Sequence, residues 1–439
     1  MQGERKTLTQ LSVPICLETL FYMLSGMVDT LMLSSVSDQA VGAVGTANTY
    51  IGVFIIMFGV ISSGMVAVMS QNIGAGRPGI AYQARQLGLV FNALTGILMS
   101  VVLAVFSGGI LRAVSIAPAL LESAETYLKI VGGASFLNAL IPIFSSYLRV
   151  FGYTKHSLIG TVVGNVINII LNSVFLFVFH WGVMGVAAAT VFSKVVNLII
   201  VAAMGAVLIK AKQSPERAQP RKILAQIVKI GFPSAFETAL YNVAMTFIVC
   251  FMNHMDTDGM NVTARSYAMQ IANFSYCVGA ALAQANAIMT GWRIGAKKYE
   301  ECDRGTRKAV IYGLVTATCF SVTFAITGRF IVHIFTNDIQ MIELVVKLLV
   351  VDIFLEFGRV TNLVYGQALK TSGDAIFPVI MGAIFMYLFA VGGTYFLGIH
   401  MGLLAVGAYI AMAGDECARA VGMVLRWKSG KWKSKSLVE

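Results

Sequence analysis

Asp29 stands eleven positions beyond Glu18 on one apolar stretch. Eleven residues are about three helical turns, so the two carboxylates share nearly one face of a helix. A charge at the bilayer centre costs roughly 2.5–3.5 kcal/mol on insertion scales, so each such group is a candidate for ion or substrate handling. Asn165, Asn168 and Asn172 recur at i, i+3 and i+7, which is one stripe. Interhelical hydrogen bonding is the plain reading, worth roughly 0.6–2 kcal/mol per contact. Three amides on one face also suit a hydrated pocket that handles a proton or a cation. Asp352, Glu356, Arg359 and Asn362 follow at steps of four, three and three, again one face. Glu356 and Arg359 can neutralise each other and fix packing. Asp352 is left over and tilts that face acidic.

Other intramembrane charges have readings of their own. Glu237 repeats Glu18, and each lies just past a proline, Pro233 or Pro14. Such a Glu either satisfies backbone groups that the proline frees or binds an ion or substrate. Asp415, Glu416 and Arg419 read as an internal ion pair, and Lys194 either pairs with an acid or snorkels. Motifs for enzymatic chemistry are absent: no nucleotide-binding Gly-x-x-x-x-Gly-Lys loop, no His-Glu-x-x-His and no nucleophile elbow. The five histidines are scattered, and no cysteine pair has metal-ligand spacing. An enzyme is not expected, nor a cofactor beyond a coupling ion.

The elements that must carry these residues are membrane helices. Hydrophobic residues make up 57% of the chain and charged residues 12%, with a mean hydropathy of +0.78. Soluble domains hold roughly 25% charged residues, so too little polar surface remains to coat a soluble globule of 47.2 kDa. Twelve apolar stretches are long enough to cross the roughly 30 Å hydrocarbon layer. They are 8–33, 43–70, 86–108, 126–148, 157–179 and 185–209, then 223–252, 263–290, 308–330, 345–368, 375–398 and 402–426. Continuous rather than alternating runs favour a helical bundle over a barrel.

The chain is also written twice. Pro14, Glu18, Thr19 and Tyr22 return in register as Pro233, Glu237, Thr238 and Tyr241. Ile73-Gly74-Ala75 returns as Ile294-Gly295-Ala296, and Leu148-Arg149 with Gly152 as Leu369-Lys370 with Gly373. The expected fold is an all-α integral membrane protein of 12 transmembrane helices in two six-helix lobes, related by a pseudo-twofold along the membrane normal. The lobes are 1–209 and 223–439, joined by a linker at 210–222 that carries Pro215 and Pro220.

Lysine and arginine set the orientation. Arg5, Lys6, Arg77, Arg85, Arg149, Lys155, Lys212 and the tail from Arg426 to Lys435 fall on one side. Arg112, Lys129, Arg265, Arg329 and Lys347, with Asp38, Glu122, Asp256 and Asp258, fall on the other. The positive-inside rule then puts both termini in the cytoplasm of a multi-pass plasma-membrane protein. The net charge of +11 matches attraction to anionic lipid, and no basic stripe interleaved with aromatics supports nucleic acid as a partner. A monomer that binds a small molecule within the bilayer is expected.

Pro14…Glu18…Gly26-Met27-Val28-Asp29-Thr30, then Ala43-Val44-Gly45 and Ile73-Gly74-Ala75-Gly76, resemble the start of a multidrug and toxic compound extrusion (MATE) transporter. Leu148-Arg149-Val150-Phe151-Gly152 and Leu369-Lys370-Thr371-Ser372-Gly373-Asp374 resemble its paired cytoplasmic motifs. Glu356-Phe357-Gly358-Arg359 with Asn362, and Arg426-Trp427-Lys428-Ser429-Gly430-Lys431-Trp432, resemble one bacterial branch. The resemblance spans nearly the whole chain. It implies two six-helix lobes around a cleft and outward drug transport in exchange for inward Na⁺ or H⁺. Asp29 then matches the first-helix cation and protonation site, with Asn168 and Thr190 as its partners. Asn172 falls where some members carry a second aspartate. Glu237 lies about one turn from the seventh-helix glutamate of Na⁺-coupled members, and Arg359 near their tenth-helix aspartate. Na⁺ at Asp29 or at Glu237 is thereby implied.

The functional expectation is a secondary antiporter that exports organic, cationic and amphipathic compounds in exchange for H⁺ or Na⁺. Cation or proton coupling falls to Asp29, Asn168, Asn172 and Thr190. The substrate or cation cleft falls to Glu18, Glu237, Asp352, Glu356, Arg359 and Asn362. The rival is export of an anionic metabolite such as a flavin or a lipid-linked precursor, which Arg359 in the cleft would favour. A polytopic enzyme would need clustered Asp-rich or His motifs at one water interface, and none is found.

Overall fold

The computed structural model describes residues 6–113, 116–255 and 259–438. Arg5, Asp256 and Asp258 lie outside the described residues, as do the side chains of Asp38 and Lys212. Every regular element among the described residues is helical. The first half holds α1 (Leu8–Ser34), α2 (Asp38–Gly74), α3 (Pro78–Ala113), α4 (Pro118–Tyr127), α5 (Phe136–Val150), α6 (Thr154–Ser173) and α7 (Gly182–Leu208). The second half holds α8 (Pro220–Asn253), α9 (Met260–Gly295), α10 (Tyr299–Val332), α11 (Ile339–Ser372), α12 (Ile376–Phe385) and α13 (Leu404–Lys428).

These helices supply the twelve expected spans. A π-helical turn over Leu128–Gly132 continues α4, which meets α5 at a bend of 42° to make one span. Wide π turns also extend α6 over Val174–Val178 and α12 over Met386–Val391 and Thr394–His400. The helices overrun the apolar stretches at most ends. At 1.5 Å per residue, the 37 residues of α2 reach about 55 Å, well beyond the hydrocarbon layer. Polar ends such as Asn72 and Gln71 are helical without being apolar, so hydropathy alone drew the span short at 43–70.

Local chemistry explains several ends. Ser37 caps α2 by accepting from the Ala40 amide at 3.0 Å, and Asp338 caps α11 through the Gln340 amide at 2.9 Å. Gly373 ends α11 with φ of +101°, a conformation that L side chains avoid.

Nine stretches, counting the bent α4–α5 pair as one, are long and apolar enough to cross a membrane. The spans α9, α11 and α13 fall outside that set. These three pack extensively on one another, α11 lying against both α9 and α13. All three carry charged side chains within the span, Arg265 on α9, Asp352, Glu356 and Arg359 on α11, and Asp415, Glu416 and Arg419 on α13, and each of these is buried or half-buried.

The chain divides into two compact units. One comprises Met1–Lys6 with Leu17–Gly231, the other Thr7–Cys16 with Phe232–Glu439. In the first, Leu33, Ala43, Ala47, Leu103, Leu128 and Ala187 form a core in which small residues bring helices close. Residues 210–231 pack within this unit. Gln83 Nε2 donates to the Ala218 carbonyl at 2.8 Å, and the Ala218 amide donates back to Gln83 Oε1 at 3.1 Å. Further on, Gly231 of α8 lies so close to the Val60 carbonyl of α2 that a Cβ would not fit. In the second unit, Ile248, Val345, Leu348, Met386 and Tyr409 build the main core. Trp427, Trp432, Tyr365 and Val364 form a further cluster there, with the two indoles stacked at 4.2 Å.

Candidate functional site

In the first unit α1 and α6 run side by side in the same chain direction, joined by a ladder of polar contacts. At its start Glu18 Oε1 accepts from Ser157 Oγ at 3.0 Å and pairs with Arg149 Nη2 at 2.7 Å. Next, Asn165 Nδ2 donates to the Phe21 carbonyl at 2.7 Å. Then Asn172 Nδ2 donates to Asp29 Oδ1 at 2.7 Å and is shared with Asn168 Oδ1 at 3.2 Å. The helical period brings 157, 161, 165, 168 and 172 to one side of α6, so the asparagine stripe faces α1 over its whole length.

The Asp29 end has the makings of an ion-responsive site. Its carboxylate is half-buried, and Asn172 is its hydrogen-bond donor among the described residues. The Asn172 carbonyl oxygen is buried and has no partner among the described residues. An amide donates from one end and accepts at the other. It can therefore donate to a charged Asp29 and, after turning over, accept from a protonated one. Lys194 lies within electrostatic reach of Asp29 while donating to Asn138 Oδ1 at 2.9 Å. Thr190 donates to the Val186 carbonyl of its own helix at 2.8 Å and lies beside Tyr127. Of the four residues assigned to coupling, Asp29, Asn172 and Asn168 are bonded in one chain. Thr190 is close by, reached through Tyr127, and Tyr127 itself was missed as one aromatic among many.

Glu18 belongs elsewhere. It is 7% exposed and held by Arg149, Ser157 and Thr161, at the opposite end of the ladder from Asp29. Its repeat mate behaves the same way in the second unit, where Lys370 Nζ sits 2.6 Å from Glu237 Oε2. The Arg149 and Lys370 partners are themselves repeat mates. Both pairs are thus one inherited strut, and a cation at Glu237 would have to displace the Lys370 ammonium.

The second unit encloses a cavity of about 440 Å³. That volume lies in the usual range of roughly 300–1,000 Å³ for small-molecule pockets. Its polar wall comes from α8, α9, α11 and α13. Arg359 pairs with Glu356 three residues earlier and approaches Glu416 at 3.8 Å. Asn362 Nδ2 donates to Glu416 Oε2 at 3.0 Å. Arg419 binds Asp415 through Nε at 2.9 Å and Nη2 at 2.6 Å, and also Glu416 at 3.0 Å. The α11 face and the α13 triad, read separately from sequence, are therefore one network with Glu416 at the join. Glu356 is fully buried and accepts from Ser275 of α9 at 3.4 Å.

Asp352, Glu237, Arg359, Asn362 and Glu416 line this cavity, while Glu356 stands behind Arg359. Arg265, counted from sequence among the charges of the outer side, lines it too. It sits inside α9 at 8% exposure. The sequence held a signal for it: no acid stands three or four positions away on its helix, unlike Arg359 and Arg419. Tyr276, whose ring lies 5.8 Å from the Arg359 guanidinium, and Tyr409 complete the wall.

Comparison with known proteins places this architecture. The MatE family model matches residues 14–174 and 233–396, so each match opens on the repeated proline. An uncharacterized transporter of Bacillus subtilis, YisQ, is 32% identical over 98% of this chain and 96% of its own. A probable multidrug resistance protein NorM of Thermotoga maritima is 26% identical over 99% and 94%. Among solved structures, a multidrug resistance MATE transporter in its outward-facing conformation superposes with a TM-score of 0.88 at 18% identity, over 97% of this chain and 96% of that one. A transporter from Pyrococcus furiosus, described as having a binding pocket of reverse polarity, gives 0.86 at 18% identity over the same shares. The fold is therefore the all-helical one of 12 transmembrane helices in two lobes. With the model matched through both halves and a relative of nearly equal length above 30% identity, the chain belongs to the MatE family of multidrug efflux transporters.

Proposed function

We propose that the chain is a secondary antiporter, exporting amphipathic organic compounds in exchange for inward H⁺ or Na⁺. The observation that carries this is the Asp29–Asn172–Asn168 chain, with the buried and unpartnered Asn172 carbonyl at its centre. In the charged state the Asn172 amide ties α6 to α1. A proton on Asp29 removes the acceptor for that donor and calls for an acceptor instead. Na⁺ at the same place would take oxygen ligands from Asp29 and the asparagines. Either event remakes the α1–α6 contact, which is how ion entry would change helix position. A membrane potential supplies about 2.3 kcal/mol per charge per 100 mV, enough to bias such a switch.

Both termini are placed in the cytoplasm, on the strength of the basic tail and the basic loops on that side. The protein is expected to act as a monomer. Proteoliposomes test the coupling directly. Dye efflux is measured under an imposed Na⁺ gradient and then under a pH gradient, in the wild type and in Asp29→Asn. Efflux that follows one gradient and vanishes in the variant supports the reading. Undiminished gradient-driven efflux in Asp29→Asn removes Asp29 from coupling.

Export of an anionic compound is the second reading, and Arg265 is the observation that favours it. A buried guanidinium in the cavity wall offers an anion several donors.

A further inference from the structure

The cavity of the second unit leaves two charged side chains over. Glu237 is paired with Lys370, Arg359 with Glu356 and Glu416, and Arg419 with Asp415 and Glu416. Arg265 and Asp352 line the same space, at 8% and 4% exposure. Among the described residues neither has an ion-pair partner. The polar contact of Arg265 is the Met245 thioether at 3.7 Å, a weak acceptor, and its Nε is buried without a partner. Asp352 feels the field of Arg359 but receives no hydrogen bond among the described residues. The two do not satisfy each other, since no approach within ion-pairing distance joins them. Tyr409 lies within electrostatic reach of both.

A buried charge without a partner is costly, and truncation data show that leaving one unpaired is worth a large part of a binding energy. A ligand with one charge would relieve one of these residues and leave the other. We propose that this cavity binds amphipathic compounds carrying a cationic and an anionic group on one molecule, with Arg265 taking the anion and Asp352 the cation. The assignment rests on the export reading above and narrows its substrate class. The apolar body of such a compound meets Met245, Met269 and Met412, flexible thioethers that repack around varied shapes. The paired charges of Arg359, Arg419 and Glu416 then form a fixed frame rather than contacts that discriminate among ligands.

A matched pair of dyes tests this. Rhodamine B carries a delocalised cation and a free carboxylate, and its ethyl ester keeps the cation but loses the anion. Binding is read by fluorescence anisotropy on the full-length protein in nanodiscs, with empty nanodiscs as the blank and no ion gradient. The acid is expected to bind roughly tenfold or more tightly than the ester. Arg265→Gln should bring the acid down to the level of the ester and leave the ester unchanged. Arg265→Lys should keep a preference for the acid. Asp352→Asn should weaken both dyes to a similar degree. Equal binding of acid and ester by the wild type overturns the proposal, and that measurement depends on no variant folding. A monodisperse Arg265→Gln protein that still prefers the acid overturns it as well. Acid preference without any gradient-driven efflux supports the cavity assignment and sinks the antiport, whereas gradient-driven efflux with equal binding does the reverse.

Discussion

The two units inherit one strut and differ in everything built beyond it. Glu18–Arg149 and Glu237–Lys370 occupy matching places at 2.7 and 2.6 Å. Beyond the first strut lies a single carboxylate, Asp29, answered by neutral amides. Beyond the second lies a network of two arginines and three acids, Arg359, Arg419, Glu356, Asp415 and Glu416, beside a cavity. Neutral amides respond to a change of charge at low cost, because an amide can exchange donor for acceptor. A network of full charges resists any such change, since removing one partner strands another. A site that must gain and lose a cation in every cycle is better served by the first design. A rigid wall for a ligand is better served by the second.

That contrast is open to attack, most sharply at Asp29. Asp29→Asn should abolish gradient-driven efflux while leaving dye binding in nanodiscs near the wild-type value, whereas Asp352→Asn should weaken dye binding while the efflux that remains still follows the ion gradient. If both substitutions uncouple transport equally, the division between the units is wrong. Next in size is Arg359→Met, which strands Glu356 and Glu416. It should cost about 3–5 kcal/mol of stability, read as a lowered thermal midpoint of the purified protein. No residue near Asp29 should match that loss. Lys194→Met is the direct comparison, because its ammonium donates to a neutral amide.

Smaller effects probe the shared strut. Glu18→Gln should cost about 2 kcal/mol and Glu237→Gln about 1 kcal/mol, since Glu18 is more enclosed and also accepts from Ser157 and Thr161. Exchanging the charges, Glu237→Lys with Lys370→Glu, should recover most of the stability lost by either single change. Failure of that rescue would show that Lys370 is held by something other than Glu237. Smallest of all, Asn165→Ala should cost about 0.6 kcal/mol, with coupling intact, because Asn165 serves the backbone of α1 at Phe21.

Much of this was legible beforehand, and the limits have physical causes. The spans could be drawn because a bilayer demands long apolar runs, and the repeat because duplication kept Pro14 and Pro233 in register. The polar stripes on α6 and α11 followed from the helical period. What they face did not. The partners of Glu18 lie on other helices, and periodicity within one segment carries no information about its neighbours. Glu237 reads as a cation ligand by itself, and its place in the sequence says nothing of the Lys370 ammonium 2.6 Å away. Arg265 counted only as one of the outer-side charges, because burial cannot be read from position alone. Tyr127 and Tyr409 were hidden in a chain with fifteen tyrosines, where most aromatics carry no specific message.

The charges carried by α9, α11 and α13 have a consequence for how the protein is made. Each emerges from the ribosome with charges that disfavour its release into lipid on its own: Arg265 in α9, Asp352, Glu356 and Arg359 in α11, and Asp415, Glu416 and Arg419 in α13. Glu356 meets Arg359 within α11, and Asp415 and Glu416 meet Arg419 within α13, but Arg359 and Asn362 of α11 reach Glu416 only once α13 is in place. The second half should therefore wait at the insertion machinery until α13 is synthesised, and leave it as a group. Truncation before α13 should strand α11 there, whereas truncation after α7 should release a first half whose spans are each apolar enough to depart alone.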